Sequence, residues 1–340
     1  MKKIILSIVT LLALAFNAKA QNGPEGILFA DSEDTNRLTN AYMNPAIKGL
    51  IYGMNNGWYH TAKVHKKFGF DISIGFNGSM VPSKDEMFSL SNLKSINQAT
   101  GGSLNSATIA GSENDGSNAT VTFQENGITY TGTFSMPGGI KESLPLNAVP
   151  TPAIQASLGL PFKSDIIVRF VPKVGSDDVK GNLFGIGLKK EITNWFGPLD
   201  KTPLHVSLLA TYTTMGVDYT IKDEDPSDNI DIQNGKVNFD LNSYTIQTIA
   251  SLNFPFINIY GGVGYTGGSS TLDMTGTYTL SYNASLNQRT LTDPLDLDFN
   301  ASGFKATIGT RLSLGFFKIF ADYTLQEYNA INAGIAFSFR

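Results

Sequence analysis

The last eleven residues of the chain alternate between apolar and small or polar side chains. The apolar positions share one parity, and they are Ile331, Ala333, Ile335, Phe337 and Phe339. Successive side chains of a β-strand point to opposite faces, so this segment presents one apolar and one polar face. A strand of a transmembrane β-barrel needs this pattern, because its side chains meet lipid and an aqueous interior alternately. An aromatic residue near the end is also typical of terminal barrel strands, although Arg340 follows Phe339 here.

The first twenty residues predict a secretory signal peptide. A basic start is followed by an apolar run from Ile4 to Phe16 and by the cleavage site Ala18-Lys19-Ala20. The apolar run is too short to span a bilayer comfortably, which argues against a membrane anchor. We therefore expect export and cleavage of residues 1–20, so that the mature chain begins at Gln21.

The composition excludes several kinds of site. The chain has no cysteine, which rules out disulfides, thiolate metal sites, a cysteine nucleophile and lipid attachment to an N-terminal cysteine. Its formal charge is −4, and loss of Lys2, Lys3 and Lys19 with the signal peptide leaves 22 basic against 29 acidic side chains. An acidic chain without a basic patch argues against nucleic acid as a partner.

Short motifs give no candidate for catalysis, cofactor binding or metal binding. Residues 262–267 match G-x-G-x-x-G, but β-rich residues follow where a dinucleotide site needs a helix. The acidic loop from Asp223 to Asp231 does not match a calcium-binding hand, and a loose divalent-cation bridge to lipopolysaccharide is the alternative to a solvated loop. His60 and His65 would face opposite sides of one strand and share no metal. We expect no enzyme activity, although a Ser-His-Asp set assembled across strands stays open.

The period of two recurs from Trp58 onward and predicts an all-β fold. We expect a transmembrane antiparallel up-and-down β-barrel over residues 57–340 with about twelve strands, or fourteen as the alternative. A stretch rich in Ser, Asn, Gly and Thr predicts a long loop at about 78–118. The predicted strands are Trp58–His65, Phe68–Asn77, Thr120–Met136, Ala153–Leu160, Asp165–Lys173, Asn182–Ile192, Leu204–Tyr219, Lys236–Phe254, Ile257–Leu280, Ser302–Leu314, Phe316–Gln326 and Asn329–Arg340.

The links between predicted strands differ in length. Short links such as Pro161–Ser164 alternate with longer polar ones such as Ser281–Ala301. Outer-membrane barrels have short periplasmic turns and longer extracellular loops, so we expect the short links on the periplasmic side. Aromatic residues near these strand ends predict an interfacial girdle. They are Trp58, Tyr59, Trp195, Phe196, Phe254, Phe256, Phe316, Phe317, Phe337 and Phe339.

Residues 21–56 do not alternate, and we predict a short helical plug or periplasmic cap before the barrel. The pattern predicts one short helix from Ser32 that ends before Pro45, and a second helix that Pro45 opens. The candidate plug residues are Leu38, Tyr42, Asn44 and Pro45.

Charged residues within predicted strands indicate an aqueous interior. A lysine or arginine that faces lipid at mid-depth costs ~2–4 kcal/mol, so these positions are expected to face inward. A charged lumen would influence charge selectivity. The candidate lumen-lining residues are Asp71, Arg169, Lys305, Arg311, Lys318 and Asp322.

Two stretches resemble known families. Asn40-Ala41-Tyr42-Met43-Asn44-Pro45-Ala46 is similar to the Asn-Pro-Ala motif near the start of long-chain fatty-acid transporter-like barrels. Residues 57–65, followed by Phe68-Gly69-Phe70-Asp71, resemble an uncharacterised outer-membrane barrel family found mainly in Bacteroidota, over most of the mature chain. The resemblance implies a barrel with an N-terminal segment in its lumen. In the transporter family that segment gates the passage of hydrophobic compounds.

These features predict an integral β-barrel of a Gram-negative outer membrane, with a channel or transporter for small or hydrophobic compounds as the leading function. A non-conducting structural or surface-interaction barrel and a secreted soluble β-protein are the alternatives. The partners we expect are outer-membrane lipids and lipopolysaccharide, the barrel assembly machinery during insertion, and a small hydrophobic ligand. We expect no cofactor.

Overall fold

The structure, a computed structural model, describes residues 24–91, 93–98, 105–221, 229–282 and 286–339. Within these residues there is one α-helix, α1, at Ser32–Met54. Short 3-10 helices lie at Pro24–Phe29, Ser83–Asp85, Glu113–Asp115, Lys141–Ser143, Pro145–Asn147 and Thr193–Lys201. The strands are β1 Phe70–Met80, β2 Met87–Ser89, β3 Ile96–Gln98, β4 Asn105–Ala107, β5 Asn118–Glu125, β6 Ile128–Ser135, β7 Ala148–Leu160, β8 Ser164–Gly175, β9 Val179–Glu191, β10 Leu204–Thr220, β11 Ile230–Asn253, β12 Ile257–Tyr282, β13 Asn287–Thr292, β14 Leu295–Leu314, β15 Phe317–Leu325 and β16 Ala330–Phe339.

Ten of these strands form one closed antiparallel ring. The order around the ring is β1, β7, β8, β9, β10, β11, β12, β14, β15 and β16, and the pairing of β16 with β1 completes it. The ring strands occur in chain order, as in an up-and-down barrel, with β2–β6 inserted before β7 and β13, which pairs with residues 277–282 of β12, inserted before β14. The all-β fold and the closed sheet are therefore as the alternation predicted.

The described residues give ten ring strands where the sequence predicted about twelve. The segment 58–65 is irregular and lies inside the ring, so its prediction as a strand was wrong. The segment 120–136 belongs to the hairpin β5–β6, which turns at Asn126-Gly127 and pairs with β3 outside the ring. Alternation alone does not distinguish a wall strand from a strand of a separate small sheet, because both have two unlike faces.

Strand β1 shows how the wall is built. Its polar side chains face inward, and Asp71 and Asn77 are each 2% exposed. Its outward side chains are apolar and 40–50% exposed; they are Phe70, Ile72, Ile74 and Phe76. A water-soluble sheet buries its apolar face, so the faces of this wall are inverted.

The two ends of the ring differ. At one end, which we call the turn end, short links join neighbouring strands and β16 ends. At the other, which we call the cap end, β11 and β12 extend beyond their neighbours and residues 81–147 form a cap. The cap contains the small sheets β2–β4 and β3–β5–β6. The region predicted as a long loop at about 78–118 therefore includes paired strands.

The wall has one short seam, between β7 and β8. Their pairing stops at Gln155 opposite Arg169, although β7 continues to pair with β1 as far as Ala148. The same register, continued, would place Pro152 opposite Pro172. Neither proline has a backbone N–H to donate, so the ladder, which stops three residues earlier, cannot resume there.

Candidate functional site

The candidate functional site is the interior of the ring, which residues 32–69 occupy. Helix α1 contacts β1, β7, β11, β12 and β14, which lie on different sides of the ring. The helix begins at the cap end, and irregular residues 55–69, which we call the root, continue to the start of β1 at the turn end. Residues 32–69 are called the plug below. Asp31 caps α1, because its Oδ1 accepts the backbone N–H of Asp34 at 2.9 Å.

Helix α1 is continuous through Pro45, so the prediction of two short helices was wrong. A proline inside a helix removes a backbone hydrogen bond and costs ~3 kcal/mol in an isolated helix. Here the side chains of Leu38, Ile47 and Leu50 are at most 1% exposed and belong to one apolar cluster with the cap and the upper wall. Burial of these side chains outweighs the cost of the proline.

Two glycines bring α1 close to the wall. A Cβ atom on Gly49 would lie 2.5 Å from Cγ2 of Val149, and a Cβ atom on Gly53 would lie 2.6 Å from Cγ2 of Thr151. Both wall residues belong to β7. The helix backbone therefore lies directly behind the strand whose pairing with β8 is short.

Two buried cations of the wall bind the C-terminal end of α1. The guanidinium of Arg169 donates from Nη1 to the carbonyl of Met54 at 3.0 Å and from Nη2 to that of Asn56 at 2.8 Å. The ammonium group of Lys305 donates to the carbonyl of Asn55 at 2.8 Å and to Oδ1 of Asn56 at 2.6 Å. The last carbonyls of a helix lack intrahelical partners and carry the negative end of its dipole, so both cations are well placed.

Trp58 fixes the chain just after the helix. Its indole Nε1 donates to the carbonyl of Met54 at 3.1 Å, and Cζ of Arg169 lies 3.9 Å from its ring centroid. Gly185 of β9 faces the indole of Trp58, and a Cβ atom on this glycine would lie 2.9 Å from Cη2 of the indole. Trp58 and Tyr59 are 1% and 7% exposed, so their predicted place in an outer girdle was wrong.

A network of charged side chains holds the root at the turn end. Nε2 of His60 lies 3.1 Å from Oδ2 of Asp71, and Nε2 of His65 lies 3.2 Å from the same oxygen. Nδ1 of His65 lies 3.1 Å from Oδ2 of Asp165. Lys189 completes the network with its Nζ 2.9 Å from Oδ2 of Asp165. Two root imidazoles and three wall side chains are therefore joined.

The second ring nitrogen of His60 has a different partner. Nη1 of Arg311 lies 3.0 Å from Nδ1 of His60, and the imidazole stacks on the ring of Phe320 with a centroid separation of 5.1 Å. The sequence placed His60 and His65 on opposite faces of a strand. That prediction was wrong, because the root is not a strand and both imidazoles turn toward Asp71.

The two histidines differ in their tendency to bind a proton. Burial lowers the pKa of His60, and the positive charge of Arg311 acts in the same direction. Burial also opposes protonation of His65, but its hydrogen bonds to Asp165 and Asp71 outweigh burial and raise its pKa.

At the cap end a single arginine joins three segments. Arg289 donates from Nε to Glu125 of the β5–β6 hairpin at 2.7 Å. It also donates to the carbonyl of Ala30 at 2.9 Å and to Oγ of Ser32 at 3.0 Å. The start of α1 is therefore tied to both the cap and the extended wall.

The predicted lumen-lining residues all lie at inward-facing positions of ring strands. Arg311 faces inward on β14 and binds His60. Lys318 is at an inward-facing position of β15. It lies at the turn end, where its Nζ donates to the carbonyl of Gly315 at 2.6 Å. The other four are 2–7% exposed inside the ring: Asp71, Arg169, Lys305 and Asp322.

The predicted plug residues all lie in α1. Asn44 is half-buried, and the others are buried: Leu38, Tyr42 and Pro45. Sequence reasoning missed the residues that bind the plug to the wall, namely Trp58, the two root histidines, Asp165 and Lys189. The parity of Asp165 in its strand indicates that it faces inward. Nothing in the strand pattern indicates which root residue meets it.

Several other sequence observations have a structural outcome. Residues 262–267 lie inside β12, so no helix follows the glycines. Among the described residues, no group of three His, Asp or Glu side chains is arranged to hold a metal ion. No helix in the described ranges is long and apolar enough to cross a membrane. The predicted signal peptide and most of the acidic loop 223–231 lie outside the described residues.

Comparisons with known proteins give one family and several distant structures. A family model described as "Family of unknown function (DUF6588)" matches residues 1–339. The search of curated proteins finds no match. Among solved structures, the chain is similar to Ail, the attachment invasion locus protein of Yersinia pestis, at 10% identity over 81% of this chain and 100% of that chain, with a TM-score of 0.27. It is also similar to the translocator domain of autotransporter NalP from Neisseria meningitidis, at 10% identity over 92% and 99% of the chains, with a TM-score of 0.30. Likeness at this level transfers no function.

Proposed function

We propose that this chain, which belongs to the family of unknown function (DUF6588), is an integral outer-membrane β-barrel closed by its own plug, and that displacement of the plug opens a path for small or hydrophobic compounds. The inclusion of hydrophobic compounds follows the resemblance of residues 40–46 to long-chain fatty-acid transporter-like barrels. Outer-membrane lipids, lipopolysaccharide and the barrel assembly machinery are the partners this placement implies.

The outward face of the wall supports a place in a membrane. On β11 the outward side chains from Tyr244 to Leu252 are apolar or small, whereas Asp240 and Asn242 face outward beyond them. Nine strand residues cover roughly 27 Å along the strand, or roughly 20 Å of height at a tilt of about 40°. That height is close to the apolar band of a transmembrane barrel. Tyr244 lies at its border, where an interfacial ring is favoured.

Exposed aromatic side chains at the turn end support the second border of this band. They are between 44% and 75% exposed, and they are Trp195, Phe196, Phe254, Phe256, Phe316 and Phe339. Short links at this end place it in the periplasm in our proposal, and the cap then faces the outside.

The observation that carries the channel proposal is how the plug meets the wall between the end of α1 and the turn end. Arg169, Lys305 and the root network bind the plug through hydrogen bonds and ion pairs inside a polar lumen. A buried ion pair stabilises a fold weakly, because desolvation offsets most of the attraction between the charges. Polar contacts of this kind can exchange for water when the plug moves, which an apolar contact cannot do.

The test is single-channel conductance of the full chain in planar bilayers. The double variant Arg169→Met, Lys305→Met removes both cations from the end of α1, and we expect channel openings that the unaltered protein shows rarely. Lys318→Met removes an inward-parity cation at the rim and is the matched control, with conductance unchanged. A double variant that keeps heat-modifiable mobility and exposes Trp58 to a quencher, yet passes no current, would overturn the proposal.

A specific observation favours a second candidate, a non-conducting surface-interaction barrel. The cap-end part of the lumen is filled by one apolar cluster that joins α1, the cap and the upper wall. A barrel whose role is to present its cap to a partner needs a rigid support under the cap, and this apolar cluster provides one. Liposome swelling with solutes of graded size separates the two functions, because swelling is expected only for a channel.

A further inference from the structure

We propose that His60 and His65, which bind one oxygen of Asp71 from two sides, form a pH-sensitive clamp that holds the root against the wall. The clamp concerns the position of the root and stands whether or not the barrel conducts.

The partners of His60 require a neutral imidazole. Arg311 can only donate a hydrogen bond, so Nδ1 of His60, 3.0 Å from its Nη1, must accept with a lone pair. Nε2 then carries the proton and donates to Oδ2 of Asp71. A second proton on His60 would point at the guanidinium of Arg311, and one of the two groups would have to leave.

The partners of His65 require the opposite state. Its two ring nitrogens lie 3.2 Å from Asp71 Oδ2 and 3.1 Å from Asp165 Oδ2, and an ionised carboxylate only accepts. Both nitrogens donate only when the imidazole carries two protons and a positive charge. Loss of one proton would leave one carboxylate oxygen facing a lone pair.

The charged groups around the pair come from several strands. His60 faces Asp71 on β1 and Arg311 on β14, and it stacks on Phe320 of β15. His65 faces Asp71 and also Asp165 on β8, whose partner Lys189 lies on β9. The four wall groups hold two positive and two negative charges at neutral pH, and one imidazolium leaves the cluster with one net positive charge. A second imidazolium doubles that excess in a buried site.

The clamp should therefore weaken in both directions away from the ordinary histidine pKa of about 6.5. The pKa of His60 is lowered, so its contribution is present above that value and is lost as pH falls through the pKa of the folded protein. The pKa of His65 is raised, so its contribution is present below that value and is lost as pH rises through the pKa of the folded protein. The root is held most firmly between the two.

The experiment uses Trp58 as a reporter of the root. The chain has two tryptophans, and the variant Trp195→Phe leaves only Trp58, which is buried beside Arg169. Acrylamide quenching of this variant, folded in detergent, is measured from pH 4 to pH 9. We expect the quenching constant to be lowest near neutral pH and to rise toward that of the denatured protein on each side.

The quenching curve is expected to have an acid limb, below neutral pH, and an alkaline limb, above it. Two further substitutions show which histidine causes each limb. His60→Gln keeps an acceptor for Arg311 and a donor for Asp71 but cannot gain a proton, so the acid limb should disappear and the alkaline limb should remain. His65→Gln has one donor nitrogen in place of two, so it cannot bridge Asp71 and Asp165 as the imidazolium does, and it should give high quenching at every pH. His205→Gln is the control. His205 binds Oε1 of Glu191, whose Oε2 accepts the backbone N–H of Val64 in the root, but it contacts neither Asp71 nor Asp165, so the variant should leave both limbs in place.

Two outcomes would overturn the clamp. One is a flat quenching curve in the Trp195→Phe protein. The other is an acid limb that survives in His60→Gln while heat-modifiable mobility shows an intact barrel. Neither result depends on conductance, so failure of the clamp and failure of the channel proposal can be told apart.

Discussion

The two halves of the lumen hold the same plug by different means. In the cap half, Leu38, Ile47 and Leu50 of α1 lie in an apolar cluster with the cap and the extended strands. In the turn half, the root meets the wall through carboxylates, imidazoles and cations, and also through a smaller apolar cluster that contains Trp58, Tyr59 and Ala62. Apolar burial is non-directional and independent of pH, whereas the polar contacts have fixed geometry and depend on protonation. The cap half is therefore held mainly by apolar packing, whereas the turn half adds to its smaller apolar cluster a set of polar contacts that a change of protonation can break.

The largest expected effect is that of removing the helical part of the plug. Deletion of residues 21–56 takes away all of α1 and leaves residues 57–69 in the turn half. We expect single-channel conductance to rise from a mostly closed level to a steady open level, because the cap half is then empty. Heat-modifiable mobility verifies that the barrel has formed. Unchanged conductance in a folded deletion variant would show that the root alone blocks the lumen.

The next effect concerns the apolar half. Leu50→Ala should reduce the free energy of unfolding by about 2–5 kcal/mol, because it leaves a cavity among buried side chains. Denaturant unfolding in detergent measures the loss, which should be the same at pH 5 and pH 8. Leu208→Ala alters an outward leucine of β10 that is 42% exposed, and it should cost much less. Equal losses for both variants would contradict the division into halves.

A smaller effect is expected at the boundary of the halves. Arg169→Lys keeps the charge but cannot donate to two carbonyls in the fixed fork of a guanidinium, so we expect a loss of about 1–3 kcal/mol from an unsatisfied buried carbonyl. The same unfolding measurement detects it, with Trp58 emission as a second signal because the cation over the indole moves. A variant as stable as the unaltered protein would mean that Lys305 alone holds the end of α1.

The smallest effect is expected where a plug charge reaches water. Lys48 pairs with Glu327 at 3.2 Å near the cap, and both side chains are partly exposed. Lys48→Met should change the free energy of unfolding by only ~0–1 kcal/mol, because such pairs are screened and entropically costly. A loss above this range would show that the cap half depends on this exposed pair as well as on Arg289 and the apolar cluster.

The wall could be predicted from the sequence, whereas most of the plug could not. A wall strand has unlike surroundings on its two faces, so its side chains repeat with period two, as in the segment 70–77 that became β1. Helix α1 is enclosed on most sides, so no narrow apolar stripe marks it, and Pro45 suggested a break that surrounding burial overrides. The root sequence has no hydrophobic periodicity, because its side chains contact different wall residues one by one. His60 and His65 lie within eleven residues of Asp71 in the chain, but their other partners, Arg311 and Asp165, come from distant strands, and local patterns do not encode those contacts.

The opposed prolines have a mechanical consequence. A closed cylinder of strands is held by hydrogen bonds between neighbouring strands, and it should open first where these bonds are fewest. In this protein the line of fewest hydrogen bonds runs between β7 and β8, from Gln155 and Arg169 toward the cap end. Amide protons beside it should exchange with solvent before those of the long β11–β12 ladder. Heating should split the cylinder there first, directly in front of Gly49 and Gly53 of the enclosed helix.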